Sequence, residues 1–501
     1  MIASAAVSIM RRRMKWVSVA AFAVVLASGD AYAQSAPTAP DKIALGEWLL
    51  SPSLELRTRG EWRHDPPDLG GRDLYGRTSD RVRNAWGVSE RSRFGIGAER
   101  GALHAQLTLQ DARAFGAPVP SATLGGAQGV GQFGPYEAFI EMRGSSARPT
   151  YLRIGRQAVS WGEGRLLGTA DFSPTGRSLD ALRAHTALGN FDFEALAALI
   201  ESPTPLGSSF GSTSGASHSG VQLYGLTAKW TLDPLLKVEA FGFAKIARSG
   251  GEGLDGSYFS AARLSGEAYT AALRVSGESK GWDYAAEGAY QFGTASSLSI
   301  GGTDIEAYAA AAHVDKALPE LTLSPTFRLG ASYASGQKNG GKYTQFDPLL
   351  PDVQRWHGQM DLFSWSNQID VTGGVKLVPW NDTVFGLDYR YARLAETSGE
   401  WMGSYLTPVG RTQSTIVLDG SAPAGNAAPT DEELGHELDV TFAWRPWLPL
   451  ELKAGWSGLV LGKGAQQVMV AQGRSRLDER GAALAAQSAQ YAYLQATLVV
   501  P

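Results

Sequence analysis

The chain of 501 residues contains no cysteine, which excludes a disulfide framework, a thiolate metal site and a cysteine nucleophile. Beyond one short apolar run at its N-terminus, no stretch approaches 18 consecutive apolar residues, so the rest of the chain carries no transmembrane helix. Its seven histidines, at 64, 104, 185, 218, 313, 357 and 436, are scattered. They form no H-E-x-x-H and no i, i+4 pair, so neither a zinc site nor any other cofactor is expected. Charge is sparse, at 19% of residues, and 45 basic against 49 acidic side chains exclude a basic nucleic-acid binder. What the chain has in quantity is glycine (60) together with 14 Trp, 17 Tyr and 18 Phe, too much apolar and aromatic material for a disordered protein. It must bury or embed something large.

Residues 1–33 read as a signal peptide. Arg11, Arg12, Arg13 and Lys15 form a basic n-region, Trp16 to Ala27 an apolar h-region, and Ala31-Tyr32-Ala33 a cleavage site. Removing them, with Asp30, takes the formal charge from −4 to −7. The expectation is a short N-terminal periplasmic segment over 34–47 and one domain over 48–501, exported to the Gram-negative outer membrane.

From Trp48 onward the chain breaks into segments of period-2 alternation. Leu54, Leu56, Thr58, Gly60 and Trp62 alternate with Glu55, Arg57, Arg59, Glu61 and Arg63, and Tyr136, Ala138, Ile140 and Met142 with Glu137, Phe139, Glu141 and Arg143. One face suits lipid and the other water, and it is the repetition that distinguishes a transmembrane barrel from a soluble sandwich. Eighteen such segments cover 48–63, 91–100, 102–112, 135–143, 150–157, 180–188, 191–200, 219–231, 236–247, 268–277, 282–293, 303–313, 321–334, 363–378, 381–393, 434–445, 450–459 and 487–500. Long and short connections alternate between them, as outer loops and periplasmic turns do in outer-membrane barrels. The fold class is therefore all-β, an 18-stranded antiparallel transmembrane β-barrel. Aromatics near segment ends, among them Trp48, Trp230, Trp282, Trp380, Trp444 and Trp447, fit interfacial girdles.

The middle and end of the chain resemble the alginate export family of outer-membrane barrels. The residues that carry this are Tyr151-Leu-Arg-Ile-Gly-Arg-Gln157, Gly176-Arg-Ser-Leu-Asp-Ala-Leu-Arg183, Ala334-Ser-Gly336, Phe346-Asp-Pro-Leu-Leu-Pro351, His357-Gly358, Trp365-Ser-Asn367, Gly435-His-Glu-Leu-Asp439 and Tyr493-Leu-Gln495. The resemblance implies a monomeric barrel that lets an anionic polysaccharide leave the periplasm through an arginine-lined constriction, with Arg153, Arg156, Gln157, Arg177, Asp180 and Arg183 as the matched positions. Partners it implies are outer-membrane lipid and lipopolysaccharide, the barrel insertion machinery and periplasmic polysaccharide export components.

Strand parity adds its own reading of the lumen. Arg57, Arg59, Arg63, Arg91 and Arg93 form a basic wall, extended by Arg143, Arg153 and Arg183, and Asp283, Glu287, Asp304 and Glu306 an acidic wall opposite. Arg328 also falls on the polar face, and Asp388 with Arg390 adds a mixed pair. Such a pore carries a transverse field, and the arginine wall is expected to contact an anionic or hydroxylated solute. The alternative function is a substrate-preferring diffusion porin for small polar or anionic solutes. An enzyme is not expected: Gly277-Glu-Ser-Lys-Gly281 matches G-x-S-x-G but lies in a turn between strands, and Gly251-Glu-Gly-Leu-Asp-Gly256 has no helix after it. The glycine-rich loop 394–433 is read as either a plug or an exposed flap, and Asp431, Glu432 and Glu433 as a solvated loop face or weak Ca²⁺ ligands.

Overall fold

The computed structural model describes residues 42–65, 84–116, 132–144, 149–201, 221–247, 265–297, 300–338, 340–352, 354–404, 409, 430–471, 476–477, 483–484 and 486–500. The signal peptide, the Gly251–Gly256 motif and most of loop 394–433 lie outside them.

Eighteen strands form the wall. In chain order they are β1 (Trp48–His64), β2 (Asn84–Arg100), β3 (Leu103–Gly116), β4 (Gln132–Arg143), β5 (Thr150–Gln157), β6 (Leu179–Leu188), β7 (Phe191–Glu201), β8 (Val221–Asp233) and β9 (Leu236–Ala247). The second half comprises β10 (Ser265–Ser279), β11 (Trp282–Ser297), β12 (Ile300–Ala317), β13 (Thr326–Ala334), β14 (Gln368–Leu377), β15 (Thr383–Leu394), β16 (Glu433–Trp447), β17 (Leu450–Leu461) and β18 (Ser488–Val500). Every strand pairs antiparallel with its sequence neighbours, and β18 closes the ring on β1, with Leu54 opposite Val500 and Arg63 opposite Tyr491. Closure leaves no backbone edge to lipid. Ile43–Leu45 adds a short hairpin arm onto β1, and the helix α1 (Lys463–Ala471) packs Val468 and Met469 near Leu434 and Leu459.

The alternation of the sequence is the alternation of the wall. On β2, Arg91, Arg93 and Ser89 are buried inward while Phe94, Ile96 and Val88 are exposed outward. Turns follow backbone chemistry: between β10 and β11 Lys280 and Gly281 take φ of 48° and 75°, the left-handed pair a two-residue hairpin requires. That turn holds the end of the G-x-S-x-G match, with no strand-to-helix elbow.

Four expectations are corrected. First, residues 321–325 belong to a turn and 363–367 to a loop, so β13 and β14 start later than the alternation suggests. Second, β2 extends seven residues further toward the long-loop side than 91, to Asn84. Third, a register shift between Thr108 and Leu109 opposite β4 turns Tyr136 inward, where its ring lies 3.5 Å from the Arg93 guanidinium. A bulge of this kind inserts one residue and reverses the parity beyond it. Fourth, Asp304 and Glu306 lie on the outward face of β12, between inward-buried Thr303 and Ala307. Glu306 pairs there with Lys342. Both stand near the long-loop end of the strand, where an outward charge costs little.

Candidate functional site

Among the described residues, parts of the long connections turn into the barrel and not out to solvent. The third loop, 158–178 between β5 and β6, and the seventh, 335–367 between β13 and β14, carry apolar side chains that a solvated loop would not. Val159, Trp161, Leu166, Leu167, Phe346, Leu349, Leu350 and Trp365 are all buried, in one cluster with Leu223 and Phe243 of the wall. Leu167 bridges to Leu350, Gly168 N–H donates to Leu350 O at 2.8 Å and Leu350 N–H to Leu166 O at 2.9 Å. Glycine is required at 168, where a Cβ would lie 2.8 Å from the Asp352 backbone nitrogen. Arg177 donates to Gly168 O, Leu350 O and Pro351 O at 3.1, 2.8 and 2.9 Å, riveting the two loops together.

The arginine wall holds this assembly. Arg57 donates to Asp171 O at 2.7 Å and to Ser173 O at 2.5 Å, and Arg59 donates to Phe172 O at 2.6 Å while its guanidinium covers the Phe172 ring at 3.9 Å. Arg91 and Arg93 reach the Asp171 carboxylate at 3.2 and 3.0 Å. All four arginines are buried. Burial alone would raise the Asp171 carboxyl, but the charges of Arg91, Arg93 and Arg57 outweigh it and hold it well below the ordinary carboxylate range. On the opposite side Arg274 donates to Glu163 and Glu239, each at 2.6 Å. Burial pushes Glu163 up, and His313, Arg274 and Arg165 more than reverse it, so that carboxyl too stays ionised. The seventh loop is fixed by the Lys245–Asp347 pair, by Gln291 donating to Asp347 O at 2.6 Å, and by Trp365 Nε1 donating to Tyr333 O at 3.1 Å.

Between the loops stands Trp356, whose Nε1 donates to Glu163 O at 2.9 Å. Three guanidinium groups surround its ring: Arg165 at 4.0 Å, Arg355 at 4.9 Å and Arg328 at 5.7 Å. Arg328 is paired with Asp315 at 2.7 Å. Arg165 differs from all the others. It is 7% exposed, it also lies 5.8 Å from the Trp365 ring, and it makes no hydrogen bond or ion pair with any described residue. Five donors of a fixed planar fork are therefore open to a carboxylate. Burial lowers its pKa below the usual arginine value, yet a guanidinium stays charged at any physiological pH.

The other residues singled out from the sequence fall into groups. Arg143 and Arg153 share Glu141, Arg153 at 2.6 Å, and Arg143 also reaches Glu99 at 3.1 Å and His104 at 2.8 Å. Arg183 holds Glu194 at 2.6 and 2.8 Å, a carboxylate also bonded by Trp161 and Tyr151. These form a paired vestibule on the short-turn side of the loops. Asp283 lies 3.8 Å from His313, Glu287 is buried inward, and Asp388 shares the inner face of β15 with Arg390. Arg390 pairs with Asp370 and donates to Trp356 O at 2.6 Å. Gln157 is fully buried, donating to Ala181 O at 3.0 Å. Arg156 and Asp180 are corrected: they pair at 3.0 Å on the outward face, beside exposed Ile154 and Leu182, not in the lumen. Parity on β5 separates Arg156 from Arg153, three residues away. Among the described residues no group of three or more His, Asp or Glu could hold a metal ion. Arg165 and Trp356 escaped the sequence reading, although Trp161-Gly-Glu-Gly-Arg-Leu-Leu167 carried a signal: so apolar a stretch has no place in a loop bathed by water.

The family model for alginate export matches residues 49–462. No curated protein matches the chain by sequence. Among solved structures, Pseudomonas aeruginosa OpdK with vanillate is 10% identical, with TM-score 0.52 over 90% of this chain and 98% of that one. Acinetobacter baumannii OccAB2 is 12% identical, also with TM-score 0.52 over 90% and 98%. At such identity these show a shared β-barrel fold and nothing finer.

Proposed function

This chain belongs to the alginate export family, is a passive outer-membrane channel and not an enzyme, and from that premise we propose that it passes anionic, hydroxylated solutes of the acidic-saccharide class. Arg165 is the residue that reads their carboxylates. The observation that carries the reading is a buried guanidinium with no hydrogen-bond partner among the described residues, stacked on Trp356 between the two inward loops. A desolvated fork offers a carboxylate two parallel charge-assisted bonds, and the low dielectric around it strengthens them. Arg355 and Arg328 add positive potential over the same ring. The paired vestibule of Arg143, Arg153 and Arg183 gives the solute polar contacts on approach.

For a polymer such as alginate the reading requires single-file passage between the loops. The many bonds that pin 158–178 and 335–367 across the lumen favour a second reading, uptake or release of short acidic saccharides or small carboxylates. Export by the signal peptide at 1–33, delivery by the barrel insertion machinery, contact with lipopolysaccharide, cooperation with periplasmic polysaccharide export components and operation as a monomer belong to the same proposal.

Planar-bilayer recording tests it. The channel is expected to prefer anions and to be blocked by uronate oligomers more strongly than by neutral sugars of equal length. Block by long and short uronates alike supports the polymer; block confined to mono- and disaccharides supports the small-solute reading. A pore indifferent to uronate would overturn both.

A further inference from the structure

Two blocks singled out in the sequence, His357-Gly358 and Gly435-His-Glu-Leu-Asp439, have no part in reading the anion, and the fold brings them into contact. The seventh loop crosses the inner face of β16 at Gly358, with φ of 86°, where a Cβ would stand 2.4 Å from Glu437 Oε2. Only glycine takes that conformation so close to the carboxylate. Met360 N–H then donates to Glu437 Oε1 at 3.2 Å. Two residues along β16 the Asp439 carboxyl meets that of Glu437, and Ser457 of β17 stands directly opposite Asp439. Between Gly358 and Met360, Gln359 sends its side chain to the same stretch of wall. Its Oε1 lies 2.6 Å from where a Cβ on Gly455 would be, two residues from Ser457.

Glu437, Asp439, Gln359 and Ser457 are 1, 6, 8 and 0% exposed. Glu437 Oε2, Asp439 Oδ1 and Gln359 Oε1 find no hydrogen-bond donor among the described residues. Arg390, opposite Glu437 in the ladder, gives Nη1 to Asp370 and Nη2 to Trp356 O, and opposite Asp439 stands a further carboxylate, Asp388. Two buried carboxyls in contact do not both stay ionised without a counter-charge. A shared proton would join two of the three oxygens and leave Gln359 Oε1 bare. A cation takes all three, with Ser457 Oγ beside them. Carboxylate, amide and hydroxyl oxygens, with no nitrogen or sulfur ligand, are the donor set of a hard cation, and so irregular a set suits Ca²⁺ better than the strict octahedron of Mg²⁺.

We propose that Glu437, Asp439, Gln359 and Ser457 form a Ca²⁺ site that ties the seventh loop to β16 and β17. The two carboxylates balance the charge of the ion, and water completes its shell. The site stands whatever solute the lumen passes, because none of its four residues belongs to the anion reading.

Terbium luminescence of the full-length barrel, refolded in detergent free of lipopolysaccharide and titrated with Ca²⁺ or Mg²⁺, tests this. Tyr493, whose ring meets Gly455 beside Gln359, is the sensitiser. Wild type is expected to bind Tb³⁺ that Ca²⁺ displaces at about 10⁻⁴–10⁻³ M, the range of extracellular modules, and Mg²⁺ about tenfold less well. Glu437→Gln with Asp439→Asn is expected to weaken Ca²⁺ binding by about tenfold or more. Gln359→Met, which leaves both carboxyls in place, is expected to weaken it less and reads the site even where the double variant gives no channel. Asp431→Asn with Glu432→Gln and Glu433→Gln, the acidic stretch at the start of β16, is the control and is expected to keep full affinity. Channel formation in planar bilayers checks that each variant folds. Equal Ca²⁺ affinity in wild type, the double variant and Gln359→Met would overturn the proposal, as would loss of binding in the control alone. So would absence of Ca²⁺ binding at neutral pH, which would leave the carboxyl pair sharing a proton.

Discussion

The arginines of the wall and the arginine of the third loop have the same side chain and opposite situations. Arg57, Arg59, Arg91 and Arg93 hand their donors to Asp171, Phe172, Ser173 and their neighbours, while Arg165, on the loop those residues hold, hands its donors to none of the described residues. Buried charge with complete pairing is scaffold. Buried charge without it is kept at a cost of several kcal/mol in desolvation, and a site that tolerates this cost has a reason outside its own stability. On the proposed reading, the wall positions and the loop selects.

The widest break between the two comes from Arg57, Arg59, Arg91 and Arg93 replaced together by Gln. Each lost charge-assisted bond leaves a loop carbonyl or carboxylate under-bonded, about 1–3 kcal/mol apiece and not additive. The third loop is then expected to leave the lumen. Conductance should rise severalfold with noisy subconductance states, and uronate block should vanish because Arg165 leaves with the loop. Unchanged conductance and block in the quadruple variant would mean that the wall is not the anchor.

A smaller effect distinguishes the loops from each other. Burial raises the Asp361 carboxyl of the seventh loop to about 7, whereas Asp171 of the third is held far down. For a carboxyl raised in the folded state, its favourable contribution is fully present below the unfolded value near 4 and is lost as pH rises through about 7. For one depressed in the folded state, the contribution is present above about 4 and lost only in strong acid. Flickering of the seventh loop should therefore increase as pH rises from about 4 to about 7 while the third stays docked. Asp361→Asn should flatten that dependence in single-channel recordings at stepped pH; a profile as steep as wild type would assign the titration elsewhere.

The least effect is expected from Arg156→Gln. Its exposed outward pair with Asp180 contributes at most about 1 kcal/mol, and ion selectivity should not move. A selectivity shift would return Arg156 to the permeation path.

How much of this was legible follows from where each signal lives. Strand number, turn positions and the inward set on β1, β2, β11 and β13 are written in period-2 alternation, because lipid rejects charge on one face of every strand. Tyr136 was misassigned because a bulge is local backbone geometry with no mark in the alternation. Asp304 and Glu306 were misassigned because near the long-loop rim the lipid constraint lapses and a charged side chain need not face the lumen, whereas Arg156 and Asp180 came from the family motif, which carries no facing, and strand parity sets them outward. Loop entry was the deepest omission: a loop's path depends on distant partners, such as Asp171 meeting three arginines up to 114 residues away, and no window of sequence contains both.

The central claim is that Arg165, and not the wall, reads the anion. It is tested most directly by titrating uronate block of the single channel in wild type and in Arg165→Gln. The account predicts about tenfold weaker block, the loss of one bidentate pair, with anion preference reduced, conductance unchanged and thermal unfolding at or above the wild-type temperature because the uncompensated buried charge is gone. Block of equal strength in the two proteins would contradict it.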